Sequence, residues 1–258
     1  MGEWADLSEA RIWYRVAGAG EPVVLLHGGL TDSRDFIGNL DTLASDFQLF
    51  MPERRGHGHS PDVEGPLSVG VMADDMVEFI GTVIGGPAHV VGYSVGASVA
   101  LYMALNRTDL IRSLVAISGA LGRDGWLVRP QKGEPPEPLL RAYADVSPDG
   151  AEHFRTIAAK AAEASEEPGR PASDLAGLMM PVLVMLGDDD FVDLRHAIDI
   201  YESLPNAGLA VLPDASHLLL HEHSEAVVNL VRRFLTNGHR PTMLPIRRPT
   251  RGAESRTT

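Results

Sequence analysis

Short apolar segments alternate along this chain with segments that have the residue spacing of an amphipathic helix. The apolar segments predict strands at 11–18, 23–26, 47–52, 89–94, 113–118, 181–187 and 208–213. The intervening segments predict helices at 34–44, 72–83, 97–106, 194–204 and 227–234. Strands rich in valine, leucine and isoleucine that are joined through helices form a mostly parallel sheet, covered on both faces. The chain is therefore predicted to adopt a doubly wound α/β fold, in which ligands bind beyond the carboxyl ends of the strands.

The alternation breaks once, between residues 121 and 173, where proline and glycine clusters interrupt the pattern. Two helical stretches, 139–143 and 151–164, fit between these breaks. We therefore expect a small helical lid at 121–173, inserted into a single core domain that consists of 1–120 and 174–237.

The chain has a formal net charge of −13 and no cysteine. The negative charge argues against a nucleic-acid partner, which needs a basic surface, and favours an uncharged small-molecule substrate. The absence of cysteine excludes disulfides, a thiolate nucleophile and cysteine-based metal sites. The segment 238–258 differs from the rest because it carries five arginines and one glutamate. We expect it to be a disordered basic tail, with a basic interaction arm as the alternative.

The first residues, MGEWADLSEARIW, hold three acidic residues before the first arginine and do not have the pattern of a signal peptide. The most apolar segment, 178–186, is shorter than the roughly 20 residues that a membrane helix needs. We therefore expect a cytoplasmic protein with no membrane partner. The sequence does not indicate an oligomeric state.

The segment HVVGYSVGASVAL, residues 89–101, places Ser94 between Gly92 and Gly96 where a predicted strand meets a predicted helix. A sharp turn there would present the hydroxyl at the carboxyl edge of the sheet and leave no room for side chains two residues away on either side. The two glycines meet that requirement. The same pattern also fits a turn that merely packs the helix on the strand.

A serine hydroxyl becomes a nucleophile when a neighbouring base takes its proton and a third group orients that base. His217 directly follows a predicted strand and therefore lies at the same sheet edge as Ser94. Three consecutive acids, 188–190, also follow a strand, and Asp190 is favoured because apolar residues come next. An ordinary loop histidine and a solvated acidic turn are the alternatives.

The segment HLLLHEH places His217, His221 and His223 close together, which raises a metal site as another alternative. The zinc-protease pattern H-E-x-x-H is absent, and His223 would point away from the helix face that the other two could share. We therefore expect no metal and no other cofactor.

Four short motifs occur in an order that resembles the α/β-hydrolase family over nearly the whole chain. They are HGG at 27–29, GYSVG at 92–96, GDDD at 187–190 and DASH at 214–217. RRGHGHS at 54–60 also resembles a loop that the family carries after a core strand. Glu53 stands where the family usually has aspartate, a departure that we interpret as structural.

The resemblance implies a catalytic triad. Ser94 would be the nucleophile, His217 the general base and then the general acid, and Asp190 the carboxylate that fixes the histidine tautomer. Asp188 and Asp189 remain the alternative acids.

The resemblance also implies an oxyanion hole formed by the backbone N–H groups of Gly29 and Val95, with Leu30 as the alternative to Gly29. The candidates for the lining of a substrate pocket are Leu30, Trp126, Tyr143, Phe154, Phe191 and Leu218. Packing within the lid explains the residues located there equally well.

The leading hypothesis is a serine hydrolase that forms an acyl-enzyme on Ser94 and cleaves a small, uncharged, partly apolar carboxylic ester or lactone. The same scaffold also serves thioesterases, carbon–carbon bond hydrolases and small-molecule receptors with little turnover. The sequence leaves these alternatives open.

Overall fold

Eight strands form one sheet in a computed structural model of the chain, which describes residues 2–130, 133–239 and 242–244. The strands are β1 (Gly2–Asp6), β2 (Arg11–Ala17), β3 (Pro22–Leu26), β4 (Gln48–Pro52), β5 (Ala88–Tyr93), β6 (Ile111–Ile117), β7 (Val182–Asp189) and β8 (Ala207–Ser216). Their spatial order is β1-β2-β4-β3-β5-β6-β7-β8. Strand β2 is antiparallel to both of its neighbours, and all other neighbours are parallel. The predicted α/β fold with a mostly parallel sheet is confirmed.

Helices cover both faces of this sheet. Within the described residues they are α1 (Val69–Phe79), α2 (Val95–Asn106), α3 (Glu137–Ala144), α4 (Phe154–Ala164), α5 (Leu194–Ser203), α6 (Leu219–Glu222) and α7 (Ser224–Asn237). Successive residues of a strand point to opposite faces. Val90 of β5 accordingly packs in the cluster that includes α1 and α2, and Val91 packs in the cluster that includes α7. Strand β5 is buried along its whole length, which fixes the position of the turn that follows it.

The single helix predicted at 34–44 is wrong, because two short 3₁₀ helices, Ser33–Phe36 and Leu40–Ser45, occupy this part of the chain. Gly38 lies between them with a φ angle of +79°, a left-handed conformation that interrupts an α-helix. Each short helix also has its own N-cap, Asp32 or Asn39, whose side chain accepts a backbone N–H.

Strand β1 is absent from the predicted strands. It lies at the edge of the sheet, where it pairs with β2. Only Ala5 among its residues is buried. A strand that buries a single side chain carries no alternation of apolar and polar residues from which it could be predicted.

The segment between β6 and β7 contains α3 and α4 close to the two predicted helical stretches. Tyr143, Phe154 and Ile157 of this segment form an apolar cluster that is separate from the main core. Leu67, from the loop that follows β4, is its fourth buried member. An ion pair adds to this contact, because Lys160 Nζ lies 2.7 Å from Asp62 Oδ2. His153 Nε2 lies 2.9 Å from the same oxygen. The segment is therefore tied to the loop that follows β4.

Most of the predicted basic tail, 238–258, lies outside the described residues. Its disorder therefore stays a prediction. At its beginning, His239 Nε2 lies 3.0 Å from the carbonyl oxygen of Val182, so the chain is still packed on β7 there. No helix in the described part of the chain is both long enough and apolar enough to cross a membrane.

Candidate active site

Ser94 lies between β5 and α2 with φ 56° and ψ −124°, a backbone conformation that is strained for a residue with a Cβ atom. Two glycines make the turn sterically feasible. A Cβ atom on Gly92 would lie 2.3 Å from the carbonyl oxygen of Gly96, and one on Gly96 would lie 2.1 Å from that of Leu26. The N–H of Ser94 donates to the carbonyl oxygen of Ile117 over 2.8 Å, which ties the turn to β6.

The structure brings the three predicted triad residues together. His217 Nε2 lies 2.9 Å from Ser94 Oγ, and His217 Nδ1 lies 2.7 Å from Asp190 Oδ1. Ser94 and His217 are 8% and 7% exposed, so the hydrogen bond between them is shielded from water yet reachable from one side. With the Nδ1 proton directed at the carboxylate, Nε2 is free to accept the proton of the serine hydroxyl.

The alternative acids lie elsewhere. Asp188 Oδ1 accepts a hydrogen bond from the backbone N–H of Ala215 over 3.1 Å, and Asp189 is exposed. Of the three consecutive acids, Asp190 is the one whose carboxylate is hydrogen-bonded to the imidazole of His217.

Four hydrogen bonds hold the carboxylate of Asp190. Oδ1 accepts from His217 and from the N–H of Val192 at 3.1 Å, while Oδ2 accepts from the Ser118 hydroxyl at 2.6 Å and from the N–H of Gly187 at 3.1 Å. Burial by itself would raise the pKa of Asp190, but the hydrogen bonds from His217 and Ser118 bring that pKa below its ordinary value. The carboxylate is therefore ionised and fixed in orientation at neutral pH.

Ser118 was missed in the sequence analysis although a signal existed. It directly follows β6, which lies between β5 and β7, and so it stands at the same sheet edge as Ser94 and Asp190. Its φ angle of +52° is strained for a residue with a side chain, and the residue is only 1% exposed. Strained residues of this kind cluster at functional sites.

Aromatic rings contact the imidazole of His217. The ring of Phe191 stacks on it with centroids 4.6 Å apart and an interplanar angle of 14°, and Trp126 approaches edge-on at 6.0 Å. The hydroxyl of Tyr93 donates to the backbone carbonyl of His217 over 2.8 Å. Aromatic rings therefore lie at one face and one edge of the imidazole, while its orientation is set by the hydrogen bonds to Asp190 and from Tyr93.

Gly29 and Val95, the expected oxyanion-hole residues, are adjacent in space. A Cβ atom on Gly29 would lie 2.9 Å from Val95 Cγ2. Val95 is the first residue of α2, and the first N–H groups of a helix have no acceptor within the helix. Leu30, which follows Gly29, has a φ angle of +59°, a left-handed conformation that is uncommon for a residue with a side chain.

The six candidate pocket residues divide into two groups. Phe191 stacks on the imidazole and is 42% exposed, and Leu218, the residue after His217 in the chain, is 53% exposed. Tyr143 and Phe154 pack against each other inside the β6–β7 segment with ring centroids 4.9 Å apart, and Phe154 has no exposed surface. These two rings therefore fit the alternative of core packing better than that of pocket lining. Leu30 is half-buried against the same cluster, and half-buried Trp126 lies beside the imidazole.

His217 and His223, two of the histidines considered as metal ligands, have different hydrogen-bond partners. Both ring nitrogens of His217 are hydrogen-bonded within the triad, and His223 Nε2 lies 2.9 Å from the carbonyl oxygen of Asp214. Among the residues that the structure describes, no group of three histidines or carboxylates has an arrangement that could hold a metal ion.

A mostly parallel sheet that carries a connected serine, carboxylate and histidine in this chain order, with the serine in a strand-to-helix turn between two glycines, is typical of α/β hydrolases. The chain belongs to the alpha/beta hydrolase family, whose model matches residues 23–230. This match confirms the resemblance that rests on the four motifs.

Several of the proteins that this chain resembles are hydrolases by name. The chain is 26% identical over 268 residues to 2-hydroxy-6-oxo-6-phenylhexa-2,4-dienoate hydrolase from Burkholderia cepacia. The aligned region covers 90% of this chain and 93% of that protein. It is 29% identical over 126 residues to a hydrolase from Azorhizobium caulinodans, and this match spans only 48% of that relative. The fold is similar to that of the enol-lactonase from Burkholderia xenovorans, with a TM-score of 0.75, 22% identity and coverage of 91% and 100% of the two chains. The protein is therefore an enzyme of the hydrolase class.

Proposed function

We propose that this hydrolase cleaves a small, uncharged, partly apolar carboxylic ester or lactone through an acyl-enzyme on Ser94. The observation that carries the proposal is the continuous hydrogen-bond chain from Asp190 through His217 to the hydroxyl of Ser94. In this arrangement the serine proton has an acceptor before any substrate arrives.

In the first half of the reaction, Ser94 Oγ attacks the carbonyl carbon of the substrate while His217 Nε2 takes the hydroxyl proton. The carbonyl oxygen becomes an anion, which the N–H groups of Gly29 and Val95 would stabilise; one such donor is typically worth about 3 kcal/mol in the transition state. The bond from the carbonyl carbon to the alcohol oxygen then breaks, and His217 gives its proton to the departing oxygen.

In the second half, water attacks the acyl-enzyme and His217 takes one of its protons. The carboxylic acid leaves and the proton returns to Ser94 Oγ, so the enzyme is regenerated. Throughout both halves, Asp190 holds the Nδ1 proton of His217 and stabilises the imidazolium that forms twice per turnover.

The substrate class follows from the surroundings of His217. Phe191, which stacks on the imidazole, and Leu218, which follows His217 in the chain, are large apolar residues that remain 42% and 53% exposed. An apolar acyl group could cover them. The formal net charge of −13 disfavours anionic substrates. We further propose that the segment 121–173 acts as a lid over this site, with Trp126 as its contribution nearest the imidazole.

Carbon–carbon bond hydrolysis is the second candidate. The relative from Burkholderia cepacia, which matches 90% of this chain, is named for the hydrolysis of a 2-hydroxy-6-oxo-dienoate. The same serine, histidine and oxyanion donors could act on such a ketone, because the attacked atom is again a carbonyl carbon. The difference lies in the leaving group, which would depart as a stabilised carbanion instead of an alcohol.

A substrate panel tests the proposal. It contains p-nitrophenyl acetate, butyrate and octanoate, a γ-lactone, an acyl thioester and 2-hydroxy-6-oxo-6-phenylhexa-2,4-dienoate, each assayed with wild type, Ser94→Ala and Ser98→Ala. Ser98 is buried one helical turn along α2 and is a matched control for loss of a hydroxyl. We expect turnover of esters or the lactone that Ser94→Ala abolishes and Ser98→Ala retains. A higher kcat/KM for the dienoate or the thioester than for every ester and lactone would replace the proposed substrate class.

A further inference from the structure

Arg54 is a charged residue with no exposed surface, and it has the largest of the fully buried side chains. It lies in the loop after β4 and contacts the HGG turn at 27–29. Its Nη2 atom donates to the carbonyl oxygen of Gly28 over 2.6 Å. Its backbone N–H donates to His27 Nε2 over 3.1 Å. Both its side chain and its backbone are therefore engaged with the HGG turn.

His27 adds a second donor to the same carbonyl oxygen. Burial, together with the charge of Arg54, lowers the pKa of His27 well below its ordinary value, so the ring is neutral. Because Nε2 accepts from the backbone N–H of Arg54, the single ring proton lies on Nδ1, which is 2.8 Å from the Gly28 oxygen. Arg54 Nη2 lies 3.2 Å from the same Nδ1, but with that nitrogen protonated it donates to the oxygen instead. Two donors, one of them cationic, thus converge on one backbone carbonyl.

That carbonyl belongs to the same planar peptide unit as the N–H of Gly29. In a trans peptide the C=O and N–H bonds point in opposite directions, and the described residues contain no cis peptide. Holding the oxygen of Gly28 therefore fixes the direction of the Gly29 N–H. Gly29 itself lies beside Val95, because a Cβ atom on it would be 2.9 Å from Val95 Cγ2. A hydrogen bond to the oxygen also polarises the peptide and makes its N–H a stronger donor.

Stability does not explain the burial of this arginine. No carboxylate among the described residues lies within ion-pair distance of Arg54, and its Nε and Nη1 atoms have no hydrogen-bond partner there. Burial lowers its pKa to about 9, and the charge of Asp35, which makes no direct contact, offsets part of this shift, so Arg54 still carries its charge at neutral pH. A buried guanidinium without a paired carboxylate costs free energy, and an apolar replacement of similar volume is often neutral or stabilising. The neighbouring Arg55, in contrast, pairs bidentately with Asp75 at 2.6 Å.

We propose that Arg54 is a positioning residue for the oxyanion hole, which it orients by holding the carbonyl end of the Gly28–Gly29 peptide. The role rests on the proposed function, since it requires an oxyanion to form at the Ser94 adduct. Arg54 touches neither the substrate nor the reacting atoms and acts through the Gly29 N–H.

The test compares wild type with Arg54→Met, Arg54→Gln and Arg54→Lys, and uses Arg55→Met as the structural counterpart. The measurements are kcat and KM on the best substrate of the panel, the Tm, and the Ki of a trifluoromethyl ketone with the matching acyl group. Such a ketone adds to the serine and places an oxyanion in the hole. Tm identifies damage to the fold, and the Ki reports the oxyanion hole independently of turnover.

We expect Arg54→Met to keep or raise the Tm, to lower kcat by about 10-fold to 100-fold with KM within twofold, and to weaken the ketone in proportion. Arg54→Lys should retain more kcat than Arg54→Gln, because it keeps a cationic donor. Arg55→Met should lower the Tm, because it leaves the buried carboxylate of Asp75 unpaired. If Arg54→Met does not fold, the comparison of the lysine and glutamine variants decides the same question.

The role of Arg54 is refuted alone if the wild type turns over substrate and the folded Arg54 variants stay within twofold in kcat and Ki. It is also refuted if kcat falls only together with the Tm, as for a structural residue. A wild type with no turnover of any substrate and no ketone binding would instead refute the proposed function, and the role of Arg54 with it.

Discussion

The hydroxyl of Ser118 lies 2.6 Å from Oδ2 of Asp190, on the side of the carboxylate opposite to the oxygen that accepts from His217. The chain of hydrogen bonds that reaches Ser94 thus begins one residue earlier than the triad. A carboxylate held at both oxygens cannot rotate, so the imidazole that depends on it keeps a single orientation.

Replacement of Ser118 by alanine should destabilise the fold. The variant removes a hydrogen bond to a buried carboxylate, and bonds to charged groups contribute about 1.5–3 kcal/mol. We expect a decrease of that size in the free energy of unfolding, measured by urea titration. Ser98→Ala is the control, because the Ser98 hydroxyl accepts only a long 3.3 Å bond from the N–H of Ala120. Equal losses in the two variants would contradict a special role for the bond to Asp190.

The acid of the triad can be identified by two isosteric substitutions. In Asp190→Asn, the amide would donate to His217 Nδ1 and force the ring proton onto Nε2, which could then no longer accept the serine proton. We expect kcat to fall by about 10⁴-fold, the loss typical of this change in serine hydrolases. Asp188→Asn, which affects only a bond to the N–H of Ala215, should stay within threefold of wild type. A larger loss of kcat in Asp188→Asn than in Asp190→Asn would identify Asp188 as the acid instead.

The stability of the enzyme should depend on Asp190 in a pH-dependent manner. The folded-state pKa of Asp190 is lowered, so its ionisation stabilises the fold fully above the unfolded-state value of about 3.9 and ceases to do so as the pH falls through the folded-state value. The free energy of unfolding of the wild type minus that of Asp190→Asn should therefore decrease as the pH is lowered from about 6 to about 3. Urea titrations at several pH values measure this difference, and a constant difference would contradict the assignment.

The apolar residues beside His217 should set the preference for acyl length. Removing the ring of Phe191 or the side chain of Leu218 takes away apolar surface that a longer acyl chain could cover, while acetate is too short to reach it. We expect Phe191→Ala to lower kcat/KM by about 10-fold for p-nitrophenyl octanoate and by less than about threefold for the acetate. Leu194→Ala, an exposed residue at the start of α5, is a control for loss of surface apolar area. Equal losses on both esters would place the acyl group elsewhere.

The triad was accessible from the sequence because of the sheet itself. Ser94, Asp190 and His217 each follow a recognisable apolar strand, and parallel strands end at one edge, so their adjacency follows from topology. Glu53, interpreted as structural, accepts a hydrogen bond from the Ser33 hydroxyl at 2.7 Å, which fits that interpretation.

Ser118 and Arg54 were not predicted, for different reasons. The position of Ser118 at the end of a predicted strand was a signal, but a serine at such a position is common, and the 2.6 Å contact with Asp190 is what gives this one its role. The complete burial of Arg54 depends on how the loop after β4 folds beneath the HGG turn, a tertiary relationship that leaves no periodicity in the sequence. Tyr143 and Phe154 were candidates either for a pocket or for packing within the lid, and their contacts with each other favour packing.

The central claim is that Ser94 is an activated nucleophile. The most direct measurement is reaction with a fluorophosphonate, followed by intact mass and peptide mapping, on wild type, Ser94→Ala and His217→Ala. The account predicts a single adduct on Ser94 in the wild type and none in either variant. A folded wild type that forms no adduct, or an adduct that persists in Ser94→Ala, would contradict it.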